Sequence, residues 1–253
     1  IFSEKPKSYR LLLQKTLVSF CITRAFKRFS AHTVFQNYDD LSYWSGIAQL
    51  TRSQASCIPG SVEWQEVKQV DEDSGRILYV GRMLRDKGID ELVQAWRLLR
   101  DQVHTCELIL CGAVDSGNPN SYTVSEMKNL SCEAGIRWLG RRNDILEQMR
   151  DASIVVLPTY REGFPRVLLE AGMAGRAVVT TDVPGCRDIV KHQTSGLLVK
   201  PRNVDELYKA VKQLYFDGVL RNRLAGNLND LVLKNFTDRT INPIWENLYN
   251  RIS

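Results

Sequence analysis

Arginine, lysine and glycine crowd one short stretch, Gly81-Arg82-Met83-Leu84-Arg85-Asp86-Lys87-Gly88, directly after the apolar run Ile77-Leu78-Tyr79-Val80. Glycine lets a backbone approach a ligand closely, and Arg and Lys pair with phosphate oxygens, so such a turn offers phosphate binding. The plain alternative is a turn leading into a helix, with its charges solvated. A second stretch, Pro158-Thr159-Tyr160-Arg161-Glu162-Gly163-Phe164-Pro165, follows Ile154-Val155-Val156-Leu157. Pro165 suits the first turn of a helix predicted over residues 166–175, whose leading N–H groups would point toward the strand ends and attract phosphate. Glu162 precedes that helix and Glu170 lies inside it, so the two carboxylates stand roughly 8 to 12 Å apart at a rise of about 1.5 Å per residue. That is too far to share a proton, but it spans a sugar at one end of a diphosphate and a ribose at the other. The alternative is that Glu162 caps the helix and Glu170 is a solvated helix charge. Neither GxxxxGK[ST] nor GxGxxG occurs, so a nucleoside triphosphatase and a dinucleotide oxidoreductase are not signalled.

Positioning these residues requires a scaffold, and from residue 76 onward the pattern supplies one. Ile77-Leu78-Tyr79-Val80, Leu108-Ile109-Leu110, Ile136-Arg137-Trp138-Leu139, Ile154-Val155-Val156-Leu157, Ala177-Val178-Val179-Thr180 and Leu197-Leu198-Val199 read as strands. Most are continuously apolar, as in a parallel sheet covered on both faces. Helical patterns lie between them, for example Leu92, Val93, Trp96 and Leu99, or Val167, Leu168, Ala171 and Ala174. The expected fold class is α/β, a Rossmann-like doubly wound parallel sheet followed by helices at 204–216, 220–234 and 242–252. Ligands of such sheets sit beyond the carboxyl ends of the strands, where both chemical stretches lie. The first 60 residues offer a basic helix up to about Phe29, a strand at Thr33-Val34-Phe35, a short helix after Asp39-Asp40 and a strand near 55–58. These are too few to close a sheet. Residues 59–75, from Pro59-Gly60-Ser61 to Asp71-Glu72-Asp73-Ser74-Gly75, read as a linker.

A chain of 253 residues with 43% hydrophobic and 25% charged residues is long and apolar enough to bury a core, which excludes disordered, collagen-like and mini-protein classes. Its formal charge is +5, yet residues 1–30 alone hold Lys5, Lys7, Arg10, Lys15, Arg24, Lys27 and Arg28 against Glu4. Nucleic-acid binding would spread basic residues over a whole face, so nucleic acid is set aside as a partner. The six cysteines form no CxxC pair, and none has a histidine at zinc-ligand spacing, so free thiols in a reducing cytosol and no metal site are expected. The most apolar run, 16–23, is bounded by Lys15 and Arg24 and is too short to span a membrane, and with basic residues on both flanks and no small-residue cleavage site after it, it does not read as a signal peptide. The chain begins at Ile1 with no opening strand, so a segment upstream is expected to be missing.

Gly81-Arg82 with Lys87-Gly88, Glu162-Gly163-Phe164-Pro165 with Glu170, Thr181-Asp182-Val183-Pro184-Gly185 and Gly196-Leu197-Leu198-Val199 together resemble the donor-binding domain of retaining glycosyltransferases of family 4, with the GT-B fold. The resemblance covers about residues 76–217, with the motifs in the expected order. It implies that Arg82 and Lys87 bind the diphosphate of a nucleotide-sugar donor, UDP-linked, and carry the catalysis together with Glu162. It further implies that Glu162 meets the sugar hydroxyls, that Gly81 and the backbone of Gly163, Phe164 and Pro165 hold sugar and phosphate, and that Glu170 binds the ribose. Gly140 and Arg141 match the position lining the base pocket. Two fixed cations and a helix start stabilise a departing nucleoside diphosphate by preorganisation, with no metal or other cofactor.

The implied organisation is a remnant of the acceptor-side domain over 1–58, a linker over 59–75, the nucleotide-sugar domain over 76–234, and a helix over 235–253 returning to the first domain. Most of the acceptor-binding domain is expected to be absent. The acceptor implied is a polysaccharide or lipid-linked glycan, in a cytoplasmic protein. The basic N-terminal helix suits either an anionic surface, as peripheral contact with the inner membrane, or packing on the missing domain. A donor-binding subunit without catalysis and a nucleotide-sugar epimerase of similar fold are the alternative functions.

Overall fold

The computed structural model describes residues 9–29, 32–51, 53–65 and 74–252. Lys5 and Lys7 of the basic stretch, and Asp71, Glu72 and Asp73 of the expected linker, lie outside the described residues.

The chain divides into two units. The smaller comprises the residues up to Pro59 together with those from Trp245 onward. It contains α1 (Tyr9–Phe29), β1 (Thr33–Phe35), α2 (Tyr38–Ala48) and β2 (Ala55–Cys57), with β1 and β2 paired in parallel. Asn37 starts α2 by accepting a hydrogen bond from the Asp40 N–H through its side chain at 2.7 Å, one of the helix donors that would otherwise lack a partner.

The larger unit, Gly60–Ile244, carries the sheet. Among the described residues six parallel strands take the order β5-β4-β3-β6-β7-β8. They are β3 (Arg76–Val80), β4 (Glu107–Cys111), β5 (Ile136–Gly140), β6 (Ile154–Leu157), β7 (Ala177–Thr181) and β8 (Leu197–Val199). Each overlaps the run expected from the sequence. The residues of β6 and β7 are buried throughout, whereas edge strand β5 is buried only at Ile136. Burial on both faces is what makes a central strand apolar at every position.

Between β3 and β4 lie a 3₁₀ turn, Arg85–Lys87, and α3 (Ile89–Arg100); α4 (Val124–Leu130), α5 (Ile145–Arg150), α6 (Arg166–Met173) and α7 (Cys186–Ile189) fill the later connections. From β3 the chain steps outward through β4 to β5, then crosses to β6 and steps the other way. Right-handed crossovers therefore place α3 and α6 on opposite faces. Two helices beyond β8 complete the layers, α8 (Val204–Phe216) against α3 and α9 (Gly218–Asn235) against α6. Leu92, Val93, Trp96 and Leu99 of α3 and Leu207, Ala210, Val211 and Leu214 of α8 form the buried stripes on the first face.

Three local expectations need correction. Pro165 is the N-cap of α6, with extended backbone at φ −76° and ψ 106°, not a residue of its first turn. That helix ends at Met173, short of residue 175: Ala174 is its C-cap at ψ 0°, with its N–H still donating to the Glu170 carbonyl at 2.8 Å, and Gly175 turns away at φ +65°. The last helix, α10, runs Asp238–Ile252 with Pro243 inside it, instead of starting at 242. Proline removes one helical hydrogen bond, but the turn before it is fixed from outside. The Asp238 N–H donates to the Val62 carbonyl at 3.0 Å, the Trp64 N–H donates to Asp238 Oδ1 at 3.1 Å, and Arg239 lies 3.9 Å over the Trp64 ring.

Candidate functional site

Strand order reverses between β3 and β6, and that switch point leaves a crevice above the carboxyl ends of the two strands. Residues 81–88 follow β3 and residues 158–165 follow β6, so topology alone brings the two chemical stretches side by side. They are knitted together directly. The Tyr160 N–H donates to the Asp86 carbonyl at 2.9 Å. Gly88 has φ +73°, and a Cβ there would strike the Pro158 carbonyl; only glycine satisfies both the left-handed backbone and the close approach. From the next loop Gly185, at φ +79°, lies so close that a Cβ would run into the Gly163 carbonyl.

Lys87 Nζ donates to Glu162 Oε1 at 2.5 Å, with side chains only 17% and 18% exposed. This pair is the core of the site: a cation from the first loop and a carboxylate from the second, each offsetting the other's cost of burial. Beneath it Thr159 is buried, and its carbonyl accepts from the Thr181 hydroxyl at 2.5 Å, which fixes the end of β6 to β7.

Arg82 sits differently. Its side chain is 63% exposed and its Nη1 donates to Asp115 Oδ2 at 3.1 Å. The Arg82 carbonyl accepts from the fully buried Tyr79 hydroxyl at 2.9 Å. Burial pushes the Tyr79 phenol well above its ordinary range, and the nearby Glu162 adds to the effect, so the hydroxyl keeps its proton as a donor. The Gly81 N–H donates to the Cys111 carbonyl at 2.9 Å, which continues the β3–β4 pairing into the loop.

Glu170, on the second turn of α6, is 23% exposed and accepts from Arg166 Nε at 3.0 Å. Burial raises its carboxyl above the usual range, with Arg166 opposing. Glu162 does not cap α6, whose N-cap is Pro165 with no side-chain cap bond. The Phe164 ring packs edge-on to Phe236 at 5.5 Å between centroids and lies against Gly60. Gly140, at φ +65°, accepts from the Gly112 N–H at 2.8 Å, and Arg141 beside it is exposed. Both stand at the end of β5, two strands from β3, or about 10 Å at the usual strand spacing. The structure thus gathers Gly81, Arg82, Lys87, Glu162, Gly163, Phe164 and Pro165 at the switch point, with Glu170 farther along α6 and with Gly140 and Arg141 at the same sheet end but displaced toward its edge.

Tyr79 and Asp115 are the participants that sequence reasoning missed. Asp115 was open to discovery, because it follows β4 and the rule of inspecting every strand end applies to it as well. Tyr79 was not, since within an apolar strand it reads as core.

No disulfide joins the cysteines. Burial pushes the thiols of Cys106 and Cys111 up to about 11 and that of Cys186 up to about 12, which leaves them protonated and poorly nucleophilic. No group of three or more His, Cys, Asp or Glu side chains suited to a metal ion occurs among the described residues.

Residues 61–229 match the family model of the glycosyl transferases group 1. The chain is 31% identical over 176 residues to the N,N'-diacetylbacillosaminyl-diphospho-undecaprenol alpha-1,3-N-acetylgalactosaminyltransferase of Campylobacter jejuni, a match covering 70% of this chain and 44% of that protein. It is 28% identical over 178 residues to the capsular polysaccharide biosynthesis glycosyltransferase CapM of Staphylococcus aureus, covering 70% and 46%. The chain spans less than half the length of these two relatives. In fold it is similar to HepE of Anabaena, solved in complex with UDP and glucose, with a TM-score of 0.79 at 21% identity over 92% of this chain and 66% of that one.

Proposed function

The chain belongs to the family of glycosyl transferases group 1, and from that premise we propose that it takes part in retaining transfer of a sugar from a UDP-linked donor to a polysaccharide or lipid-linked glycan, in the manner of family 4. The observation that carries this reading is the Lys87–Glu162 pair at the switch point. Lys87 and Arg82 take the diphosphate, Glu162 meets the sugar hydroxyls and Glu170 the ribose hydroxyls. The backbone of Gly81, Gly163, Phe164 and Pro165 lines the sugar and phosphate, while Gly140 and Arg141 line the base. Because Lys87 touches Glu162, phosphate and sugar are read by one bonded unit.

In the transfer, the bond between the anomeric carbon and the diphosphate oxygen breaks and its electron pair leaves with the nucleoside diphosphate. The acceptor hydroxyl forms the new bond to that carbon and passes its proton to the departing diphosphate oxygen. Negative charge grows on the leaving diphosphate, where Arg82 and Lys87 are already fixed, so stabilisation costs no rearrangement and needs no metal ion. The acceptor class draws on the relatives, which are named for a diphospho-undecaprenol substrate and for capsular polysaccharide.

This reading places the protein in the cytoplasm. Among the described residues no helix is long and apolar enough to cross a membrane. Exposed Leu13, Leu17 and Phe20, one turn apart along α1, support peripheral contact with a membrane that carries such an acceptor.

Calorimetry with UDP-glucose, UDP-N-acetylglucosamine and their ADP and GDP counterparts tests the donor site. Saturable binding of a UDP-sugar to the native chain, weakened in Glu170→Ala, is expected. No binding to any nucleotide sugar would sink the reading.

A further inference from the structure

We propose that Asp115 is a positioning residue for the donor diphosphate: it holds the Arg82 guanidinium in place so that the remaining N–H groups face the phosphates. The inference rests on the reading of Arg82 as a diphosphate ligand given above.

An exposed arginine at the tip of a loop samples many rotamers and loses that freedom when it binds. Arg82 is spared much of this loss, because it is held at both ends. Its carbonyl is fixed by Tyr79 from below, and its guanidinium by Asp115 at 3.1 Å. Asp115 is itself immobilised. Its N–H donates to Ser121 Oγ at 2.9 Å, and that oxygen lies 3.1 Å from the Met83 carbonyl. Around it the segment from Gly112 to Tyr122 is laced onto the phosphate loop. The Met83 N–H donates to the Ala113 carbonyl at 3.0 Å, the Arg85 N–H to the Asn120 carbonyl at 2.9 Å, and the Tyr122 N–H to the Met83 carbonyl at 2.9 Å. The β4–α4 connection is therefore a splint whose one charged contact with the phosphate loop at Arg82 is Asp115.

Geometry favours orientation over competition. A guanidinium has five N–H groups, and the Asp115 bond uses Nη1 alone. The outer edge stays available to a phosphate, which pairs best with a planar fork already set at the right angle. A carboxylate acting as a competitor would instead occupy the fork bidentately, as Glu133 does with Arg97 through Nε and Nη2.

The test titrates UDP and UMP by calorimetry into the native chain and into Asp115→Ala, Asp115→Asn, Arg82→Ala and the Arg82→Ala/Asp115→Ala double variant. Asp115→Ala is expected to weaken UDP about tenfold and leave UMP unchanged. Asp115→Asn, which keeps an acceptor oxygen, should weaken UDP by about threefold. In the Arg82→Ala background the Asp115 change should have no further effect, the mark of two residues acting as one. Thermal melting of each variant registers any loss of fold. Equal losses for UDP and UMP, additive losses in the cycle, or tighter UDP binding in Asp115→Asn would overturn the proposal. If the native chain binds UDP and Arg82→Ala weakens it while Asp115→Ala does not, the positioning role alone falls; if the native chain binds no UDP, the donor-site reading falls with it.

Discussion

Lys87 and Arg82, the two cations proposed to take the diphosphate, are each held in an ion pair, and the two pairs differ in burial. Lys87 and Glu162 are each less than one-fifth exposed, whereas Arg82 and Asp115 stand mostly or partly in water. Buried, a charge is bound to its partner because the alternative is an uncompensated charge in a poor dielectric. In water the same contact contributes little to stability and serves chiefly to set an angle. On the proposed reading, one pair builds the site and the other aims it.

The largest effect that would break this comparison comes from Lys87→Ala. Glu162 is left without its partner, so unfolding by urea should show a loss of about 3 kcal/mol, and binding of a nucleoside diphosphate should vanish. An unchanged midpoint would mean that the pair is not what holds the two loops together. Replacing both members with apolar residues, Lys87→Met with Glu162→Leu, sharpens the point: stability should return to within about 1 kcal/mol of native, while nucleotide binding stays lost. Arg82→Ala should separate the two effects that Lys87→Ala combines. Stability should move by less than about 0.5 kcal/mol, while UDP affinity falls about tenfold, since an exposed pair contributes little to folding.

The smallest effect concerns Glu170. Its carboxyl is raised by burial, so ionising it costs more in the folded chain than in the unfolded one. That cost is absent in acid, below the usual carboxylate range, grows as pH rises from the ordinary value toward the raised one, and is complete above it. Glu170→Gln should therefore melt slightly above native at pH 7 and level with it near pH 4, even as it weakens nucleotide binding. A variant less stable at pH 7 would assign Glu170 a structural role.

Much of the scaffold was legible because its elements are built from local rules. The central strands announce themselves as unbroken apolar runs such as Ile154-Val155-Val156-Leu157, and the residues following them fall at the sheet end by topology alone. Pro243 misled, because its effect on a helix start is overridden by Val62 and Trp64, more than 170 residues away in sequence. The candidate site was legible as residue types but not as partnerships. Lys87 finds Glu162 across 75 positions and Arg82 finds Asp115 across 33, and no periodicity encodes such pairs. The tie from Tyr79 to the Arg82 carbonyl spans only three residues, yet depends on how the backbone folds back beyond β3.

The central claim is that two side-chain cations recognise a diphosphate without a metal ion. The most direct measurement is calorimetry of the native chain with UDP and with UMP, each in EDTA and in magnesium. The account predicts that UDP binds at least about tenfold more tightly than UMP, a difference of about 1.4 kcal/mol, and that this preference is the same in EDTA. A preference that disappears in EDTA, or equal affinity for the two nucleotides, would contradict it.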